Sequence, residues 1–349
     1  MQNLLIIQGR LPSYRKPFFN ELGKYFKVTV LHSSSPSAVP SDNFAEVTIP
    51  ILRFSGIKWQ IGLIKKINKI KPNIVVAGDD LRYIGFALAR LVSPRAVHWA
   101  WWGVNLSNSQ ILTFLKFNFI FRSQDSLIFY DTESLAMVRA KGIQSSRLYL
   151  ANNTVYVEQK PFVNDFHARR AFINVGSLDQ RKKNDVLLKV FSRIIRVKGD
   201  GYQLYLIGDG PEKDSLHALA FDLGILKNVV FTGKIEEPQV LSKYYRIALA
   251  SISFGQAGLA VLQSMAHGVP FITSRSAITG GELTNISHDE NGIICDDTEE
   301  DLLKSMIELI DSPSKAVALG KSSYEYYNEK ANIKVMVEGF LTALKSQAI

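Results

Sequence analysis

Ten short apolar runs separated by amphipathic segments constrain this chain more than any other feature of it. In the first half they are Leu4–Gln8, Phe26–His32, Asn73–Ala77, Val97–Trp101 and Leu127–Tyr130. In the second half they are Phe172–Val175, Leu204–Ile207, Val229–Phe231, Ala248–Ser251 and Phe271–Thr273. Short, mostly apolar runs separated by helical spacing read as strands of a parallel sheet covered on both faces. Such a chain folds as doubly wound parallel α/β. At 349 residues it is long enough for two such domains. The segment 149–168, with Asn152-Asn153 and Pro161, reads as the linker. Pro17–Tyr25 and Ile57–Lys71 have helical spacing, and Ser322–Lys345 reads as one long last helix. The boundaries expected are 1–155, 156–325, and a C-terminal helix over 326–349 that packs back at the domain junction.

Charge divides the two halves. Residues 1–150 carry 19 Lys and Arg against 8 Asp and Glu, whereas the rest carries 22 against 24. The first half is therefore the one suited to an anionic surface, and a membrane face fits better than nucleic acid, for which no basic-helix, zinc or aromatic-strand motif is present. A solvated, solubilising surface is the plain alternative. The single cysteine, Cys295, excludes an internal disulfide and suits a reducing compartment. No apolar run approaches the ~20 residues of a membrane span, and MQNLLIIQGRL reads as a first strand rather than a signal peptide. The location expected is the cytoplasm, peripheral to the inner membrane.

Four loops of the second half fall at strand ends and carry the chemistry. Gly176–Asp185 (GSLDQRKKND) places Arg181, Lys182 and Lys183 just before a helix, where cations and the helix dipole can meet a phosphate. Gly208-Asp209-Gly210-Pro211 is a tight turn into a helix, equally readable as structural. Gly233, Lys234 and Ile235 leave a strand with backbone groups available to a base edge. The stretch SFGQAGLAVLQSMAHGVPFI sets Gln256, Ala257, Gly258 and Leu259 at a helix start, a seat for an anion, with Gln263 further along the helix.

In that order, GSLDQRKKNDVLL, LYLIGDGPEKDSL, VVFTG, GLAVLQSMAHGVPFIT and GGEL…ENGII resemble the family 4 retaining glycosyltransferases. The resemblance covers the whole second half; IIQGRLPSYRKPFFNEL and LANNTV extend it more loosely into the first. It implies the GT-B fold, two Rossmann-like domains facing across a cleft, with a nucleotide-diphosphate sugar held mostly by the second and the acceptor mostly by the first. It implies no metal and no cofactor. Carried over residue by residue, Lys182 contacts the donor phosphates with Arg181 beside it, Ser177 stands where an arginine is usual, Gly208 lines the donor, Gly233, Lys234 and Ile235 hold the base, and Gln256 to Leu259 meet sugar and phosphates. Gln263 occupies the second position of the family's E-x7-E motif and Gly255 the first, so both glutamates are absent. On the other wall Gly9 approaches the diphosphate. Read from the residues themselves, Arg15 either binds a donor or lipid-diphosphate phosphate or is an exposed structural arginine, and one of Asp79 and Asp80 either bonds acceptor hydroxyls or caps a helix. Trp102, clustered with Trp99 and Trp101, offers an aromatic face for a sugar or is buried packing, the default for such a cluster. The activity implied is transfer of a sugar to a saccharide or lipid-diphosphate-linked saccharide in bacterial O-antigen, capsule or other surface-polysaccharide assembly. A sugar-nucleotide epimerase and a non-catalytic nucleotide-sugar-binding subunit are the alternatives, and no nucleic-acid partner is expected.

Overall fold

The computed structural model of the chain describes residues 1–35, 42–78, 80, 82–83, 85, 89–90, 97–104, 121, 124–158 and 161–345. The chain divides into two units, Met1–Tyr156 with Ile333–Ile349, and Val157–Asn332. Asp79, one of the two aspartates singled out above, lies outside the described residues.

The first unit runs β1 (Asn3–Ile7), α1 (Lys16–Leu22), β2 (Lys27–His32), β3 (Phe44–Thr48), β4 (Ile51–Phe54), β5 (Ile57–Gln60), α2 (Leu63–Ile70), β6 (Ile74–Gly78), β7 (His98–Val104), β8 (Ser126–Phe129), α3 (Thr132–Ala140) and β9 (Leu148–Leu150). Seven strands pair in parallel in the order β3-β2-β1-β6-β7-β8-β9. The five apolar runs read in this half supply β1, β2, β6, β7 and β8. The stretch read as a helix over Ile57–Lys71 differs: Ile57–Gln60 pairs antiparallel with Ile51–Phe54, and the helix begins only at Leu63. Ser55 and Gly56 turn with φ of 46° and 82°, the left-handed pair that a two-residue hairpin favours, and Gly62 at φ 75° stands immediately before α2.

The second unit runs β10 (Ala171–Val175), α4 (Asn184–Lys198), β11 (Gln203–Ile207), α5 (Lys213–Asp222), β12 (Val229–Gly233), α6 (Pro238–Ile247), β13 (Ala248–Ile252), β14 (Gln256–Ala257), α7 (Ala260–Ala266), β15 (Phe271–Ser274), β16 (Ile278–Thr279), β17 (Ile293–Cys295), α8 (Glu299–Asp311) and α9 (Pro313–Tyr326). Its six-stranded sheet is again parallel, β12-β11-β10-β13-β15-β17. Phe172, Leu204, Leu206, Ala250 and Ile272 face a core closed by Leu187, Phe191, Leu302 and Met306 of the covering helices.

The last helical stretch is broken. After α9 the chain takes a π-helical turn at Tyr327–Ala331, and α10 (Ile333–Lys345) then rejoins the first unit. Its apolar positions Met336, Val337, Phe340 and Leu344 enter the core formed by Phe18, Phe19, Trp102 and Ile128. Phe340 is fully buried, its ring 4.8 Å from Phe18 and 4.9 Å from Trp102. Truncating it leaves a cavity ringed by aromatics. Phe340→Ala is expected to cost the first unit about 3–5 kcal/mol and leave the second unit's transition in place, which guanidinium unfolding followed by separate probes for each unit would read.

Candidate functional site

In each sheet the winding direction reverses once, and at that point the loops on either side diverge at the carboxyl ends of the strands. For the second unit the reversal lies between β10 and β13. The loops that leave these two strands, Gly176–Lys183 and Ser253–Leu259, are the two richest in the chemistry read from the sequence.

In the first of them Asp179 accepts hydrogen bonds from the Ser177 hydroxyl (2.6 Å), the Arg181 backbone N–H (3.1 Å) and the Arg181 guanidinium (2.7 Å). The Arg181 hydrogen bond is the main reason the Asp179 carboxyl falls to about 2. Arg181 is thus exposed and already engaged, and Ser177 orients the same carboxylate. Lys182 is the opposite case, only 6% exposed. Its amine lies beside Gly176, where an added Cβ would stand 3.1 Å from Nζ. Burial pulls the pKa of Lys182 below that of an ordinary lysine; Asp179 and Glu282 oppose the shift and Arg181 adds to it.

The loops after β11 and β12 lie against the first. Gly208 has φ 156°, its N–H donates to the Gly233 carbonyl at 3.0 Å, and a Cβ there would stand 1.7 Å from the Gly176 carbonyl oxygen. Gly176, Gly208 and Gly233 therefore form one glycine ledge at the strand ends. Beyond it Lys234 is exposed and ion-paired with Glu236, while Ile235 packs against the core around Leu241 and Tyr245.

The loop after β13 explains one of the absent glutamates. The Gly255 N–H donates to the Lys182 carbonyl at 3.2 Å, and a Cβ at 255 would stand 2.2 Å from the Arg181 carbonyl oxygen. No side chain fits there. Gln256 and Ala257 pair with Ile278 and Thr279, which fixes the loop from its far side. Gly258 is half-buried and has nothing within 4 Å of the place a Cβ would take. Leu259 leads into α7, where the Val261 N–H donates to the Gly258 carbonyl at 2.9 Å and the Gln263 N–H to the Leu259 carbonyl at 3.0 Å. Gln263 is half-buried on α7, and its carbonyl bonds the His267 ring, which stacks on Tyr245 at 4.4 Å.

Sequence reasoning left one group here without a role. Glu282, from the GGEL stretch, is buried, accepts from the Gly280 N–H at 2.9 Å and contributes to the field on Lys182. A glutamate directly after a glycine pair gave no signal of its own. The second unit thus gathers Ser177, Arg181, Lys182, Gly208, Gly233, Lys234, Ile235, Gln256 to Leu259 and Gln263. The buried Lys182 ammonium and the uncrowded Gly258 lie on the two loops that leave β10 and β13.

Gly9, Arg15, Asp80 and Trp102 belong to the first unit, at its own reversal between β1 and β6. They line a basin of about 880 Å³. Gly9 lies against the Tyr83 hydroxyl. Arg15 is 4% exposed; its guanidinium donates to Tyr130 Oη (3.0 Å) and to Asn153, and stacks 5.0 Å from the Trp102 ring. Trp102 is a core residue that shows the basin little of its surface. Asp80 accepts two bonds from Arg82, each 2.7 Å; burial alone would raise its carboxyl, and Arg82 brings it below the usual range. The basin also carries Arg10, Arg53, Lys58 and Arg82, so among the described residues five cations and one carboxylate line it. Sequence reasoning places Lys58 on the basic face of a helix over Ile57–Lys71 and leaves Arg53 unread; the structure puts both on the β4–β5 hairpin.

Residues 157–326 match the family model described as glycosyl transferases group 1. The chain is 26% identical over 176 residues to the lipopolysaccharide core biosynthesis glycosyltransferase LpsE of Rhizobium meliloti, covering 50% of this chain and 49% of that protein. It is 28% identical over 168 residues to a GDP-mannose-dependent alpha-(1-6)-phosphatidylinositol monomannoside mannosyltransferase of Mycobacterium tuberculosis, covering 45% and 43%. An uncharacterized glycosyltransferase of Haemophilus influenzae is 24% identical over 291 residues, 82% of this chain and 79% of that one. The first two matches thus span about half the length of those relatives. Among solved structures, Anabaena HepE in complex with UDP and glucose superposes with a TM-score of 0.77 at 14% identity, over 99% of this chain and 100% of that one. Two parallel-sheet α/β units with these neighbours make the fold GT-B.

Proposed function

We propose, from a second unit that matches the group 1 glycosyltransferases, that this protein transfers a sugar from a nucleotide-diphosphate donor to an acceptor hydroxyl. The observation that carries the reading is the buried Lys182 ammonium beside the glycine ledge, with the open Gly258 loop next to it in sequence-distant but adjoining backbone. As the bond between the sugar's anomeric carbon and the β-phosphate oxygen breaks, that oxygen gains negative charge. Lys182 and the loop N–H groups stabilise it. The acceptor oxygen bonds to the anomeric carbon on the face the phosphate leaves, with retention, and its proton passes to the departing phosphate. Charge on the diphosphate is met by side chains and amides, without a metal. UDP in the HepE complex and GDP-mannose in the name of the mycobacterial relative support a nucleotide sugar as donor.

The acceptor proposed is a saccharide on a lipid diphosphate, in surface-polysaccharide assembly at the cytoplasmic face of the inner membrane. Five cations in the first-unit basin and the lipopolysaccharide role in the name of LpsE support it. A panel of UDP-, GDP- and dTDP-sugars tests the reading: one class is expected to raise the melting temperature and, with a diphosphate-linked saccharide, to yield nucleoside diphosphate and an extended product. Epimerised donor with no acceptor product, or a donor that stabilises the protein and is never turned over, sinks it in favour of the two alternatives.

A further inference from the structure

The hairpin of β4 and β5 is two-faced. Its pairs Ile51↔Gln60 and Arg53↔Lys58 share one face, and Leu52↔Trp59 and Phe54↔Ile57 share the other. Ile51, Arg53 and Lys58 of the first face line the basin, and Gln60 fixes it there through amide bonds to the Gln8 carbonyl (3.1 Å) and Ser33 Oγ (2.9 Å). The second face holds four large apolar side chains in solvent: Leu52 is 61% exposed, Phe54 81%, Ile57 42% and Trp59 40%. Ile61 and Ile64 continue that exposure into the start of α2. A contiguous apolar patch of this kind, with no covering element among the described residues, marks an interaction surface.

We propose that this face docks on an anionic lipid bilayer. The charge around it selects that occupant: between Ile49 and Gly78 the chain carries Arg53, Lys58, Lys65, Lys66, Lys69 and Lys71 and not one carboxylate among the described residues. Apolar side chains entering the acyl boundary with lysines at headgroup level is how monotopic elements bind. A second copy of the chain brought face to face would set the same cations against one another. The proposal rests on the transferase reading in one respect: the reverse face of the same two strands lines the basin, so docking brings the basin to the headgroup layer. A lipid-diphosphate acceptor would then reach Arg53 and Lys58 with its acyl or prenyl chain still in the bilayer.

Co-sedimentation of the full chain with vesicles, without donor or turnover, tests docking separately from catalysis. Wild type is expected to bind phosphatidylcholine vesicles containing phosphatidylglycerol and to stay in the supernatant with phosphatidylcholine alone. Leu52→Ser/Phe54→Ser, at side chains too exposed to carry the fold, and Lys65→Glu/Lys66→Glu/Lys69→Glu are each expected to lower the partition coefficient about tenfold or more. Wild type that ignores both vesicles overturns the proposal, as does a serine variant that binds like wild type. A serine variant that turns a dimer into a monomer overturns it in favour of self-association. Docking retained by a protein that transfers no sugar would fail the transferase reading alone; transfer to a short water-soluble acceptor without vesicle binding would fail docking alone.

Discussion

Lys182→Ala is expected to reduce kcat/KM for sugar transfer by about 10²–10³-fold while the protein remains folded. The ammonium is buried at the glycine ledge, so no mobile surface lysine can stand in for it. The sign of its titration gives a second readout. Burial holds its folded-state pKa below the ordinary lysine value, so proton loss in the unliganded protein begins at lower pH than for an exposed lysine. Donor affinity is therefore expected to weaken as pH rises through that lowered pKa, and the weakening to vanish in Lys182→Ala. Linkage adds a stability consequence: between the folded and unfolded pKa values the unfolded chain binds more protons, so the ammonium costs stability at neutral pH and the cost is relieved as pH rises. Lys182→Met should then melt higher than wild type without ligand and gain nothing from donor. A Lys182→Met protein that melts lower and still responds to nucleotide sugar would remove Lys182 from the site.

Gly208→Ala is expected to destabilise the second unit by about 3 kcal/mol or more. Its Cβ would stand 1.7 Å from a backbone carbonyl, and its φ of 156° is one that side chains rarely adopt. Because that carbonyl belongs to Gly176, relief of the clash shifts the loop bearing Lys182, and donor-induced stabilisation should go as well. Gly258→Ala is the matched contrast. Nothing lies within 4 Å of its added methyl, so stability should change by less than about 1 kcal/mol, yet donor affinity should fall if phosphate approaches that backbone. Guanidinium unfolding and thermal shift on the same two variants read both outcomes; equal behaviour of the pair would mean the ledge is packing only.

The sheets were legible because buried parallel strands need apolar residues on both faces, and the runs at Leu4, Phe172, Leu204 and Ala248 have no other use. The anion-binding character of Arg181-Lys182-Lys183 was legible as charge. What stayed hidden is which cation is buried: Asp179 occupies Arg181, and only the fold puts Lys182 beneath Gly176. The absence of a glutamate at 255 could be read, whereas its cause, the Arg181 carbonyl pressed against that position, could not. The Ile57–Lys71 stretch misled because IKWQIGLIKK fits a helical stripe about as well as a two-residue repeat, and the left-handed turns at Gly56 and Gly62 are what decide it. Apolar spacing in α10 was equally plain, but spacing names no partner, and its partner is the first unit.

That return of α10 has a consequence for how the protein is made. The face of the first sheet bearing Ile128 and Trp102 is finished only by Met336, Val337 and Phe340, and the whole of Val157–Asn332 is translated in between. At about 5–20 residues per second this leaves the nascent sheet bare for about 9–35 s, long enough for the continuous second unit to emerge and fold first. A ribosome that stalls within the second unit releases a first unit that is open and adhesive. A chain whose first unit has closed has necessarily already been supplied with its second.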